Sequence, residues 1–106
     1  MKLECQLIFA DGTSIDAQAD VSSTGNLLDQ SSDLHCNARE LAIELLEQHP
    51  ESIAVLFGVL EGTHEEEKSA LLFPRPDCPA ARDFVVALRE DAVKSGTAII
   101  SRRLDS

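Results

Sequence analysis

The sequence predicts an α+β fold: two helices packed on one face of a mostly antiparallel sheet of four to five strands, in the order β-β-α-β-β-α-β. Three observations predict it. Ile53-Ala54-Val55-Leu56-Phe57-Gly58-Val59-Leu60 carries no charged or hydrogen-bonding side chain. A short, evenly apolar run of this kind reads as a strand buried on both faces, here the centre of the sheet. Two alternating stretches flank Asp11-Gly12 near the N-terminus, and two segments of helical apolar spacing separate the remaining strand-like runs.

The first alternation sets Leu3, Cys5, Leu7 and Phe9 against Lys2, Glu4 and Gln6, with Ile8 breaking the polar set. The second sets Ile15, Ala17, Ala19 and Val21 against Ser14, Asp16, Gln18 and Asp20. Asp-Gly between two such runs signals a hairpin. A two-residue loop would oppose Leu7 to Asp16 and mix polar with apolar groups on one face. A three-residue loop, Ala10-Asp11-Gly12, opposes Leu7 to Ile15 and Cys5 to Ala17, and sets Gly12 at the left-handed position. The three-residue loop is therefore predicted, giving the hairpin one apolar face and one wet, acidic face.

Residues 22–33 read as a long polar loop, with Leu27-Leu28 pinning it to the core; loops of this length are often functional or mobile. Ala38, Leu41, Ala42, Leu45 and Leu46 then repeat at helical spacing. Two starts compete: a cap at Ser32 or Asp33, or a cap at Asn37 with Glu40 three residues on. His49-Pro50 ends the helix under either. After the central strand, where Gly58 signals a bulge or a close approach, residues 61–68 read as a hairpin loop feeding a strand over 69–73. The competing reading is a short helix capped by Thr63; the unbroken apolar run Ala70-Leu71-Leu72-Phe73 favours the strand. Pro74-Arg75-Pro76-Asp77 is an extended connector. Pro79 opens a second helix whose stripe is Ala81, Phe84, Val85, Leu88 and Ala92, and Gly96 closes it. Thr97 to Ser101 reads as a final strand, followed by a charged tail.

At 106 residues the chain is read as a single α+β domain, 1–106, with enough length for a core. An apolar fraction of 43% is that of ordinary globular proteins and argues against disorder. Without Trp or Tyr, and with four Phe, the chain is poor in platforms for stacking bases. Cys5, Cys36 and Cys78 are odd in number and form no C-x-x-C. They do not resemble a disulfide framework; small core residues in a reducing cytoplasm are expected. The N-terminus turns polar within a few residues and no stretch approaches the roughly 20 apolar residues of a membrane helix. A soluble cytoplasmic protein is expected.

The formal charge is −10, unevenly spread. Residues 1–67 hold fourteen acids against two bases, Lys2 and Arg39, whereas residues 68–106 hold five acids against seven bases. Phosphate repulsion opposes direct nucleic-acid binding through the acidic part, and the same field steers a basic partner.

Catalytic signals are weak. His35-Cys36 is a single adjacent pair of metal-capable residues, and zinc sites need more ligands at short spacing. His64-Glu65-Glu66-Glu67 is not H-E-x-x-H, since residue 68 is Lys. No G-x-S-x-G and no phosphate-cradling glycine loop occurs. No cofactor, metal or catalytic residue is predicted. Arg75, Arg82, Arg89, Arg102 and Arg103 would suit a phosphate or carboxylate if gathered, although balancing the N-terminal acids explains them more simply.

The expected function is that of a small acidic cytoplasmic interaction protein: an adaptor, inhibitor, immunity factor or accessory subunit. It binds a protein partner with a basic surface and performs no catalysis. The expected contact residues are Asp16 and Asp20 on the wet hairpin face and Glu65, Glu66 and Glu67 at the acidic tip. Two alternatives stand beside it: a small ligand-binding or enzymatic domain with a pocket near His35, Cys36 and Cys78, and an acidic nucleic-acid mimic. An exposed sheet edge would also allow a homodimer.

Overall fold

The computed structural model describes residues 2–20, 29–61 and 68–104. Its elements follow the expected order: β1 (Lys2–Phe9), β2 (Ser14–Asp20), α1 (Asp33–Gln48), β3 (Ser52–Glu61), β4 (Lys68–Pro74), α2 (Pro79–Ser95) and β5 (Thr97–Ser101). The five strands form one sheet in the order β2-β1-β3-β4-β5. All neighbours are antiparallel except β4 and β5, which run parallel. The fold is α+β, with the predicted central strand third of five.

The first hairpin has the three-residue loop. Leu7 pairs with Ile15 and Cys5 with Ala17. Gly12 takes φ +88°, and its N–H donates to the Phe9 carbonyl at 3.0 Å. Asp11 fixes the turn by accepting from the Thr13 N–H at 3.0 Å and the Thr13 hydroxyl at 2.6 Å. Those two donors hold the Asp11 carboxyl below its ordinary pKa.

Helix α1 uses the earlier start. Ser32 is the N-cap, and its Oγ accepts from the His35 N–H at 3.2 Å. Asp29 prepares the cap: its Oδ1 accepts from the Ser31 N–H and hydroxyl, and its carbonyl accepts from the Ser32 hydroxyl. Leu34 and a further turn thereby join the helix, which the alternative cap at Asn37 would have left out. The His49 N–H still closes on the Leu45 carbonyl at 3.0 Å, and Pro50 follows. In β3 the pairing to β4 shifts between Phe57 and Leu60, three residues of β3 advancing against two of β4. That is a bulge spanning Gly58, as its lack of a side chain suggested. β4 is a strand antiparallel to β3, as the apolar run predicted. The competing helix capped at Thr63, and Leu27-Leu28, lie outside the described residues.

The expectation that both helices share one face is corrected. Leu34, Ala38, Ala42 and Leu46 of α1 pack with Leu3, Cys5, Leu7, Val55, Phe57, Leu71 and Phe73. Ala81 of α2, with Phe84, Val85 and Leu88 against it, packs with Ile8, Ile53, Ala54 and Leu72. Side chains alternate across a strand, so Val55 and Phe57 belong to one face, and Ala54 and Leu56 to the other. The helices therefore lie on opposite faces. The physical reason is in β3 itself: a strand apolar on both sides needs cover on both sides. Ile8, the residue that broke the polar set of β1, is buried beside Ala54 under α2.

The deepest packing is aromatic. Phe57 and Phe73 are fully buried and meet edge to face at 5.8 Å between centroids, and His35 abuts Phe73 at 5.7 Å. Among the described residues no helix is long and apolar enough to cross a membrane.

Candidate functional site

Two surfaces concentrate charge, at opposite ends of the sheet. The first follows from the placement of α2. That helix packs on β3, β4 and β5, and β2 and β1 lie at the far side of the sheet order. On the α2 side of the hairpin, Glu4, Gln6, Asp16, Gln18 and Asp20 are all exposed. Their register makes them one patch: Glu4 pairs with Gln18, Gln6 with Asp16, and Lys2 with Asp20. Glu4, Gln6, Asp16 and Gln18 rim a cavity of about 360 Å³ floored by Leu56. The expected residues Asp16 and Asp20 thus share a face, and Glu4 joins them. Glu65, Glu66 and Glu67 lie outside the described residues. Glu4 was legible in the sequence, since it alternates in phase with Gln6 on the strand that the hairpin register sets against Gln18.

The second surface lies where β4 and β5 end. Arg75 is committed to the fold. Its Nε donates to the Ser52 carbonyl at 2.7 Å, and its Nη2 to the carbonyls of Leu46 at 2.7 Å and His49 at 3.1 Å. Helix α1 has no base in its own last turn, and the Arg75 guanidinium supplies the charge that its terminal carbonyls attract. Beside Arg75 opens a cleft of about 340 Å³, into which Arg82 and Arg103 also face, with Asp77.

Across the tail, on the α1 side, a smaller cavity of about 220 Å³ is lined by Gln30, His35, Cys36, Arg39, Arg102 and Arg103. The Arg102 N–H donates to the Leu72 carbonyl at 3.0 Å, continuing the ladder beyond β5. Arg39 Nη2 donates to the Leu104 carbonyl at 2.9 Å, and Leu104 packs against the α1 core. The tail is therefore bound to the domain along its described length. Of the five arginines considered from the sequence, Arg75, Arg82, Arg102 and Arg103 gather at this end, whereas Arg89 lines neither cleft. Arg39 was missed. The signal for it was its spacing: one helical turn beyond His35, it shares that residue's face.

The cysteines separate. Cys5 is buried in the α1 core, and burial pushes its thiol up to about 11. Cys36 is exposed, contrary to the expectation of a core residue, because it falls on the outer side of the first turn of α1. Cys78 is half-buried with the α2 cluster. The pocket envisaged near His35, Cys36 and Cys78 exists beside the first two only; the sheet stands between them and Cys78. His49, with Glu51 at 3.7 Å, marks the other end of α1. Among the described residues no three of His, Cys, Asp and Glu are grouped so as to hold a metal ion.

Comparison with known proteins assigns nothing further: no family model, no curated protein and no solved structure matches the chain.

Proposed function

We propose that the chain is a small acidic interaction module, an adaptor, inhibitor, immunity factor or accessory subunit, that binds a basic protein partner and acts without catalysis. The observation that carries this reading is the uncovered face of the hairpin, where Glu4, Asp16 and Asp20 stand exposed around a shallow apolar floor at Leu56. An open sheet strand pair on which three acids, Glu4, Asp16 and Asp20, outnumber the single base Lys2 steers an oppositely charged surface and favours one orientation. Glu65, Glu66 and Glu67 belong to the proposed surface on the strength of the sequence. Cysteines without disulfides fit a cytoplasmic setting.

The nucleic-acid mimic is the weaker reading. Gln18 separates Asp16 from Asp20 and Gln6 follows Glu4, so neutral amides interrupt the row of acids. Duplex DNA presents charge without such gaps.

Parallel affinity captures test the proposal, with the wild-type chain and the Asp16→Lys/Asp20→Lys variant as baits in the same cell extract. A basic protein retained at low salt by the wild type, released as salt rises and absent from the variant supports it. Equal retention by both baits removes the hairpin face from the interaction.

A further inference from the structure

We propose that β2 pairs with the β2 of a second copy of this chain, antiparallel about a two-fold axis at Ala17, joining the two sheets edge to edge. The inference stands apart from the protein-binding proposal: it uses the edge of the hairpin and leaves the acidic face of each copy exposed.

The openness of the edge is the first support. β2 ends the strand order, with β1 on its inner side. Of its seven residues five are exposed, two are half-buried and none is buried, so the strand stands at the surface. Ile15, on the α1 side, is 46% exposed and is among the large apolar side chains left in contact with water. The strand carries no Pro, and its register against β1 runs unbroken from Ser14 to Asp20. Such an edge is a template for a further strand.

The second support is the direction of the backbone groups. The Phe9 N–H donates to the Thr13 carbonyl at 2.9 Å, and hydrogen-bonded pairs alternate along an antiparallel ladder. Ile15, Ala17 and Ala19 therefore exchange bonds with β1, whereas Ser14, Asp16, Gln18 and Asp20 turn their N–H and C=O groups outward. An added antiparallel β2 must set these outward residues against each other.

Charge then selects the register. An axis at Ala17 pairs all seven residues: Ser14 with Asp20, Ile15 with Ala19, and Asp16 with Gln18. No acid faces an acid, and the small Ala17 meets its own copy at a position where the strands approach closely. An axis at Asp16 would oppose that residue to its own copy, and an axis at Gln18 would oppose Asp16 to Asp20. Like charges directly opposite are destabilising. Charge on an edge guards against indiscriminate pairing; here it leaves one full-length register. The contact is isologous, so it closes at two copies and uses up both edges.

The test is sedimentation of the full chain from about 10 μM to 1 mM at low and high salt, since a single strand pair is a small interface and its dimer is weak. A concentration-dependent dimer is expected. Each chain carries −10, so the dimer should strengthen as salt rises, the opposite of the release expected for a basic partner. Gln18→Lys sets an ammonium opposite Asp16 of the other copy twice across the axis, and it should tighten the dimer about threefold or more. Gln18→Asp sets acid against acid and should loosen it comparably. Register is read by oxidation in a Cys36→Ser background, which removes the exposed native thiol. Ala17→Cys should form a symmetric disulfide, because its opposed Cα atoms lie about 4.5 Å apart, whereas Ile15→Cys should not. A monomer throughout the concentration range overturns the proposal. So does a dimer that ignores both Gln18 variants and is not cross-linked through Ala17→Cys.

Discussion

Arg75 Nη2 donates to the carbonyl oxygen of Leu46, 29 positions earlier, at 2.7 Å, so a residue leaving β4 completes the C-terminal end of α1. The same guanidinium also reaches His49 and Ser52. Removing it strands carbonyl oxygens at a half-buried helix end, and charged hydrogen bonds contribute about 1.5–3 kcal/mol each. Arg75→Ala should therefore lower stability by about 3 kcal/mol in urea unfolding, with Arg75→Lys intermediate because a single ammonium cannot span the carbonyls. A loss below about 1 kcal/mol for the alanine variant would mean that water serves those carbonyls equally well.

Gly12 isolates backbone strain. A Cβ added there meets nothing within 4 Å, yet φ is +88°. Gly12→Ala should cost about 1–2 kcal/mol through the left-handed conformation alone, while Gly12→Asn should cost less, since Asn tolerates that region. Equal melting temperatures for the three proteins would contradict the turn geometry.

Cys5 gives a pH signature. Burial raises its folded pKa from 9.0 to about 11. The unfolded chain releases this proton first, so the contribution of Cys5 is fully present below about pH 9 and is lost as pH climbs towards about 11. Unfolding curves between these limits should show falling stability, with a shallower fall in Cys5→Ala. At pH 8 a thiol reagent should label the exposed Cys36 well before Cys5, whose labelling should require unfolding.

The hairpin was legible because its side-chain alternation has a period of two: a one-residue slip would have exposed Leu3, Cys5 and Leu7 and buried Asp16. The start of α1 was legible only as a choice, and Asp29 settles it by holding Ser31 and Ser32 in capping position. The side on which α2 packs was misread, although Ile8 and the apolar run at Ile53 both signalled a second covered face. The task of Arg75 was not legible, because the Leu46 carbonyl becomes its neighbour only once β3 and β4 pair. That Asp16 and Asp20 share one exposed face was legible because strand periodicity is local. The arginine cavity needed residues 30–39 and 102–103 to meet, a long-range consequence of where the tail leaves the sheet.

Asp16→Lys/Asp20→Lys should fold normally, since both side chains are exposed and surface changes typically stay within about 0.5 kcal/mol. Association with the captured partner should slow about tenfold at low salt, and the difference should shrink at high salt as charges are screened. A loss of affinity independent of salt would point to contacts other than charge.

The most direct measurement is carboxyl footprinting of the captured complex, with carbodiimide labelling read by peptide mass spectrometry. The proposed interface predicts that Glu4, Asp16 and Asp20 are labelled in the free chain and protected in the complex, with Asp83 and Glu90 on the exposed side of α2 labelled in both. Unchanged labelling of the hairpin acids, with protection confined to another surface, would contradict it.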